Sequence, residues 1–290
     1  RSAPGEFDEN LPYTAAAAAR VENGEGGQSE KRLAIIDEVN REGVVLLQNN
    51  GLLPLQIPAE GAYNVVIIGS WQTQTYTGLY SAGVSGNSNV NIQKGITDAI
   101  KAVNADATVT TITADTISDE NKAVIEAADA VVVVVGTNSN YSKEDGDRTS
   151  IALPNNLDTL ISNVGKLNAN TIAVMETCGA MQVKTFEDDV AALLWSSYGG
   201  LRKGVGFGDI ITGAVNPSGK LTDTWYQDVN DDTSKESDIP SIYDYNLYAT
   251  NGSNGRTYMY YKGEKAPSYP FGYGLSYTTF EYSNLTIDKT

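Results

Sequence analysis

Two kinds of hydrophobic pattern alternate along the chain. Over residues 29–49 (SEKRLAIIDEVNREGVVLLQN), Leu33, Ile36, Val39, Val44 and Leu47 recur at helical spacings with charges between them. This predicts one amphipathic helix, closed by Asn50, Gly51 and Pro54. Short apolar runs without polar alternation follow at 65–68, 131–135, 171–175 and 191–195. Runs of that length suit strands covered on both faces. Between them lie helix-like segments, roughly 92–103, 118–128 (opening on Ser118 as a cap), 155–166 and 201–211. Strand and helix in succession predict an α/β fold, a mostly parallel sheet sandwiched by helices as in flavodoxin-like proteins.

After Trp225 the pattern changes to a polar, acidic stretch at 227–238 and then a Tyr-rich tail over 243–282. The expected organisation is a linker segment (1–28), an α/β-sandwich domain (29–226) and a C-terminal extension (227–290) that packs on the same domain as a hairpin or an extended strap. The tail tyrosines Tyr258, Tyr260, Tyr261, Tyr269, Tyr273 and Tyr277 read as packing residues.

Composition narrows the chemistry. With 41% apolar residues in 290, the chain has enough hydrophobic material for a real core. A formal net charge of −16 repels phosphate backbones and anionic lipid, which excludes nucleic acid and membrane surfaces as expected partners. No apolar run approaches the ~20 residues of a bilayer span, and the opening RSAPGEFDEN has no hydrophobic signal core. It reads as a processed or internal start. One cysteine, Cys178, cannot form an internal disulfide, and the absence of histidine removes the usual zinc ligand and general base. No metal or other cofactor is expected. Acid/base chemistry must therefore come from carboxylates, with Tyr or Lys as weaker candidates.

In a parallel sheet, ligands meet the loops at the carboxyl ends of the strands. Those loops are 70–91, 136–154, 177–182 and 196–200. The first is long and rich in Gly, Ser and Asn, beyond the usual connection length. The second packs Glu144, Asp145, Asp147 and Arg148 into five residues after the most apolar strand. On composition alone a charged loop is more often solvated surface than a site.

The loop's sequence is more telling. EDGDRTSIALP resembles the acid/base loop of glycoside hydrolase family 3, in which a Glu stands three residues before an Asp-Arg pair that leads through a short apolar stretch to Pro. Three further segments match in order: EGVVLLQNNGLLPL (42–55), NPSGKLTDTWY (216–226) and YPFGYGLSYTTFEYSNL (269–285). The resemblance covers nearly the whole chain. It departs at Thr212, Gly213 and Ala214, where relatives often carry Phe-Gly-Asp, and at Cys178, Gly179 and Ala180, where many have a Gly-Arg-Pro turn.

The resemblance implies a two-domain, retaining exo-β-glycosidase that removes terminal β-D-glucosyl or β-D-xylosyl residues from oligosaccharides or β-glycosides, outside the cytoplasm (extracellular or periplasmic). GRTYMYY (255–261) is closer to the xylosidase branch, whereas prevalence favours glucosides. The family's nucleophilic Asp lies on a TIM-barrel domain that this chain lacks, so the chain by itself is expected to be inactive. Glu144 takes the acid/base role, with Asp145 as the fallback. Asp147 and Arg148 are expected to form a local ion pair that holds the loop. Trp71 and Tyr80 are candidates for stacking on a leaving-group sugar, with packing beneath a long loop as an equal alternative.

Two other functions compete with this one. The turn GSWQTQTYTG has neither the spaced glycines of a dinucleotide site nor a phosphate-cradling loop, which counts against nucleotide binding. A non-catalytic carbohydrate-binding or inter-subunit module remains the alternative. Three Asn-x-Ser/Thr sequons occur, at Asn140, Asn251 and Asn284; a glycan at Asn140 would crowd the charged loop, so that sequon is expected to be unused.

Overall fold

The computed structural model describes residues 30–76, 88–227, 246–250, 253–279 and 281–287, with Ala16 and Ala19. Tyr80 and Asn251 lie outside the described residues, as does most of the linker segment. In chain order the elements are α1 (Glu30–Gly43), β1 (Val45–Asn49), β2 (Asn64–Ile68), α2 (Ile92–Val103), β3 (Thr108–Ile112), α3 (Asp119–Glu126), β4 (Ala130–Gly136), α4 (Leu157–Leu167), β5 (Thr171–Glu176), β6 (Ala192–Ser196), α5 (Lys203–Thr212) and the single turn α6 (Thr257–Tyr260).

Among the described residues six strands form one sheet in the order β1-β6-β5-β4-β2-β3, all neighbours parallel except β1 against β6. Because successive strand residues point to opposite faces, the valines of β4 divide between two cores. Val131, Val133 and Val135 join Ile125 of α3 and Leu160, Ile161 and Val164 of α4. Val132 and Val134 join Ile92, Ile96 and Ile100 of α2 and Phe207, Ile210 and Ile211 of α5. This two-sided burial is why the run reads as unbroken hydrophobicity.

The predicted helix over 29–49 is corrected. It ends at Gly43, and Val45–Asn49 is the antiparallel edge strand β1. Val39, assigned to the buried stripe, is 64% exposed. The spacing of Val44 and Leu47 continues the helical rhythm by coincidence; pairing with β6, some 150 residues away, decides the conformation. Strand β3 (TVTTI) was not anticipated, because an edge strand with mostly exposed threonines lacks the apolar run of its neighbours.

Helices α2 and α5 touch through glycines. A Cβ on Gly204 would lie 1.9 Å from the carbonyl oxygen of Asn91, and one on Gly95 2.0 Å from the backbone of Gly204. Among the described residues, 261–279 of the tail run as an extended strap. Trp225 and Tyr269 pair antiparallel, Leu221 N–H donates to Tyr273 O (2.8 Å), and Leu275 N–H donates to Leu46 O (2.8 Å) on the open edge of β1. Covering that edge removes a template for aggregation. Tyr269 is buried and Tyr273 and Tyr277 are half-buried, whereas Tyr258 is exposed and its packing is confined to the surface, where it stacks on Phe271 (4.5 Å between rings).

Candidate active site

The order of the sheet reverses between β2 and β4: the chain goes outward from β2 to β3, then returns to the other side of β2 as β4. Ligand sites of open parallel sheets form at such a reversal, outside the carboxyl ends of the strands. A cleft of about 350 Å³ lies there, lined by Ser70, Trp71, Asp115, Asn138, Tyr141 and Asn155 among others. Asp115 accepts hydrogen bonds from both the backbone N–H and the hydroxyl of Ser70 (2.8 and 2.7 Å).

Beside the cleft stands the charged loop that follows β4. Its stem is pinned at several points. The Tyr141 hydroxyl lies 2.8 and 2.7 Å from the carbonyl oxygens of Ser150 and Ala152, bridging the outgoing and returning strands of the loop. Burial is the main cause that raises the Tyr141 phenol above its ordinary value, which keeps it a donor. Ile151 and Leu153 are buried, and Gln182 N–H donates to Ile151 O (2.7 Å). At the tip, Lys143 and Gly146 exchange two backbone hydrogen bonds (3.1 and 3.0 Å), which makes Glu144 and Asp145 the central residues of a tight turn. Asp145 takes φ 61°, the left-handed region that the third position of such a turn needs and that Asp tolerates. Both carboxylates are exposed.

Arg148 holds the loop, but not through Asp147. Its guanidinium donates to the carbonyl oxygen of Ala180 (2.7 Å) and lies within range of Cys178 Sγ and Met181 Sδ (3.8 and 3.9 Å). Among the described residues no Asp147–Arg148 ion pair forms. The charge of Arg148 also acts on Asp223, whose carboxyl is pushed up by burial and pulled back by neighbours that include this guanidinium. So the segment 178–180 and the segment bearing Asp223, which sequence reading kept apart, meet under the charged loop.

On the other side of the stem, Thr137 ties four strand ends together. Its hydroxyl accepts from Cys178 N–H (3.0 Å) and lies 3.0 Å from the Tyr198 hydroxyl, and Tyr198 meets Tyr76 edge-to-face at 4.6 Å. Burial, only partly offset by Thr137, pushes the Tyr198 phenol up to about 12. Trp71 is only 8% exposed. Its Nε1–H donates to Glu176 Oε2 (2.7 Å), and it contributes to the cleft only through what little surface remains. Sequence reading missed Glu176 and its partner Lys203 entirely. Among the described residues no group of three or more His, Cys, Asp or Glu is placed to hold a metal ion.

The family model for the glycosyl hydrolase family 3 C-terminal domain matches residues 44–277. The probable exo-1,4-beta-xylosidase of Aspergillus aculeatus is 34% identical over 264 residues, covering 86% of this chain and 31% of its own length. Beta-D-xylosidase 1 of Arabidopsis thaliana is 32% identical over 285 residues, covering 96% of this chain and 35% of its own length. This chain therefore spans about a third of these relatives. Among solved structures, a GH3 exo-beta-xylosidase in complex with a xylobiose aziridine activity-based probe superposes with a TM-score of 0.73 at 28% identity, over 93% of this chain and 34% of that one. A family 3 beta-glucosidase from Neurospora crassa superposes with a TM-score of 0.69 at 25% identity, over 90% and 33%.

Proposed function

We propose, for a chain that belongs to glycosyl hydrolase family 3 through its C-terminal domain, that it is the acid/base half of a retaining exo-β-glycosidase, with Glu144 as the acid/base residue. The observation that carries this reading is the position of Glu144. It stands at the exposed tip of a loop whose stem is fixed, which follows the carboxyl end of strand β4 and whose residues Asn138, Asn140 and Tyr141 line the cleft at the chain reversal.

A retaining glycosidase needs two carboxyl groups about 5 to 5.5 Å apart. The second, the nucleophile, would come from an Asp on a TIM-barrel domain of the full-length enzyme. In the first step the Glu144 carboxyl gives its proton to the glycosidic oxygen as the bond from that oxygen to the sugar's anomeric carbon breaks and the nucleophile bonds to that carbon. In the second, the Glu144 carboxylate takes a proton from water as the water oxygen displaces the nucleophile. An exposed tip serves this arrangement, since the loop must reach into a cleft formed with another domain. The small polar cleft, with its hydroxyl and amide lining and the residual surface of Trp71, suits the leaving-group sugar. Tyr80 belongs to the same proposal.

For the sugar itself, the named relatives favour a terminal β-D-xylosyl residue, with β-D-glucosyl as the alternative that the Neurospora crassa enzyme keeps open. A secreted location, extracellular or periplasmic, fits substrates of this kind. Among the described residues no helix is long and apolar enough to cross a membrane.

The test compares this chain alone with the same chain joined to its barrel domain. Nitrophenyl β-xyloside and β-glucoside should be turned over only by the joined protein, and the chain alone should show nothing above background. Turnover by the pure isolated chain at roughly 1 per second or more, the enzymatic range, would overturn the division of labour. A joined protein that binds oligosaccharide without hydrolysing either glycoside would instead be the non-catalytic module.

Arg148 offers a finer check. In the joined enzyme Arg148→Ala removes the bond to Ala180 that fixes the loop. It should lower kcat by roughly tenfold to 10²-fold with little change in KM, since misplacing a catalytic group by about 1 Å costs up to that much. A strong rise in KM at constant kcat would mark direct substrate binding instead.

A further inference from the structure

We propose that the buried Glu176–Lys203 ion pair is a positioning device that, through Trp71, sets the direction in which the Glu144 loop leaves the sheet. Glu176 ends β5 and is 0% exposed; Lys203 opens α5 and is 1% exposed. The Glu176 carboxylate is fully engaged. Oε2 takes the Lys203 ammonium and the Trp71 Nε1–H (2.7 Å), and Oε1 takes the backbone N–H of Gly199 (3.1 Å). Lys203 Nζ also lies 5.6 Å from the centre of the Trp71 ring. One carboxylate thus joins the ends of β2, β5 and β6 and the start of α5.

Stability does not call for such a pair. Replacing a buried ion pair by apolar residues of similar volume is often neutral or stabilising. Burial indeed works against both charges, raising the carboxyl of Glu176 and lowering the ammonium of Lys203 from their ordinary values, each opposed by the partner. What apolar residues could not supply is direction: the hydrogen bond to Nε1 fixes the tilt of the indole. That tilt matters because the indole lies flush against Gly136, the last residue of β4. A Cβ there would fall 2.2 Å from Trp71 Cε2 and Nε1. The next residue, Thr137, donates its N–H to the carbonyl oxygen of Glu176 (3.0 Å), and the loop bearing Glu144 begins there. The clamp therefore holds the root of the loop from a side chain and from the backbone.

The inference rests on the reading of Glu144 as the acid/base, so its test has two arms. Two variants are compared with the parent: Trp71→Phe, which keeps the ring but loses the donor, and the double variant Glu176→Leu/Lys203→Met, which removes both charges. The single Glu176→Leu is avoided, because a lone buried ammonium would threaten folding. In the first arm, amide hydrogen exchange is measured on this chain over residues 137–150. Exchange there should quicken in both variants while the amides of β5 and β6 stay as protected as in the parent. In the second arm the joined enzyme carries the same changes. On xylobiose, kcat should fall by roughly tenfold to 10²-fold in both variants; in the double variant, which keeps the Trp71 ring, KM should stay constant and the first-turnover burst of dinitrophenol from an activated glycoside should be unaffected. Loop exchange equal to the parent's, or unchanged kcat on xylobiose, overturns the positioning role. Failure of the Glu144 reading is seen separately, as a Glu144→Gln enzyme that treats good and poor leaving groups alike.

Discussion

Trp225→Ala is expected to destabilise the folded chain by about 3–5 kcal/mol, the cost of truncating a fully buried aromatic. The indole is 0% exposed and packs edge-to-face on Trp195 of β6 (5.4 Å) and against Tyr269 of the strap (6.1 Å). Its backbone exchanges hydrogen bonds with Tyr269 in both directions (2.9 and 3.3 Å). Truncation would therefore open a void at the junction between sandwich and strap and loosen both. Against a typical total stability of about 5–15 kcal/mol, a loss of this size is a large fraction of what holds the chain folded. Urea denaturation of parent and variant at matched m-values measures it. Tyr269→Ala should not add fully to Trp225→Ala, because the two rings share one contact. A loss below about 1 kcal/mol would mean that the strap is not docked through Trp225.

The same residues show what a sequence can disclose. The strands β2, β4, β5 and β6 were legible because burial on both faces writes itself as an unbroken apolar run. The charged loop was legible as a motif and as a strand-end loop. Strand β1 was not, since the rhythm of α1 runs on past Gly43 and only distant pairing with β6 interrupts it. The partners of Arg148 were hidden for a similar reason: a guanidinium beside an Asp reads as a local pair, while the carbonyl it reaches belongs to Ala180 on another loop. Glu176 and Lys203 are 27 positions apart with no motif between them, and charged residues at a strand end and a helix start read as solvated. Only the sheet order and the close packing of Trp71 on Gly136 bring them together under the loop.

Glu144→Gln in the joined enzyme should divide substrates by leaving group. The amide keeps the shape of the side chain but has no proton to give the departing oxygen and cannot later take one from water. Poor leaving groups, such as the second sugar of a disaccharide, should lose the general-acid factor of roughly 10² to 10⁴. A dinitrophenyl glycoside departs without protonation and should still form the covalent intermediate. Because hydrolysis of that intermediate now lacks its general base, stopped-flow traces should show a burst of dinitrophenol followed by a slow steady rate. Azide needs no base, so it should accelerate the second step and yield a β-glycosyl azide, with retention set by two successive displacements at the same carbon. The fold should be untouched, since the side chain projects from an exposed turn whose backbone bonds run between Lys143 and Gly146. A variant that slows all substrates alike and gives no azide product would remove Glu144 from the role. The same experiment would then pass to Asp145, its neighbour in the turn.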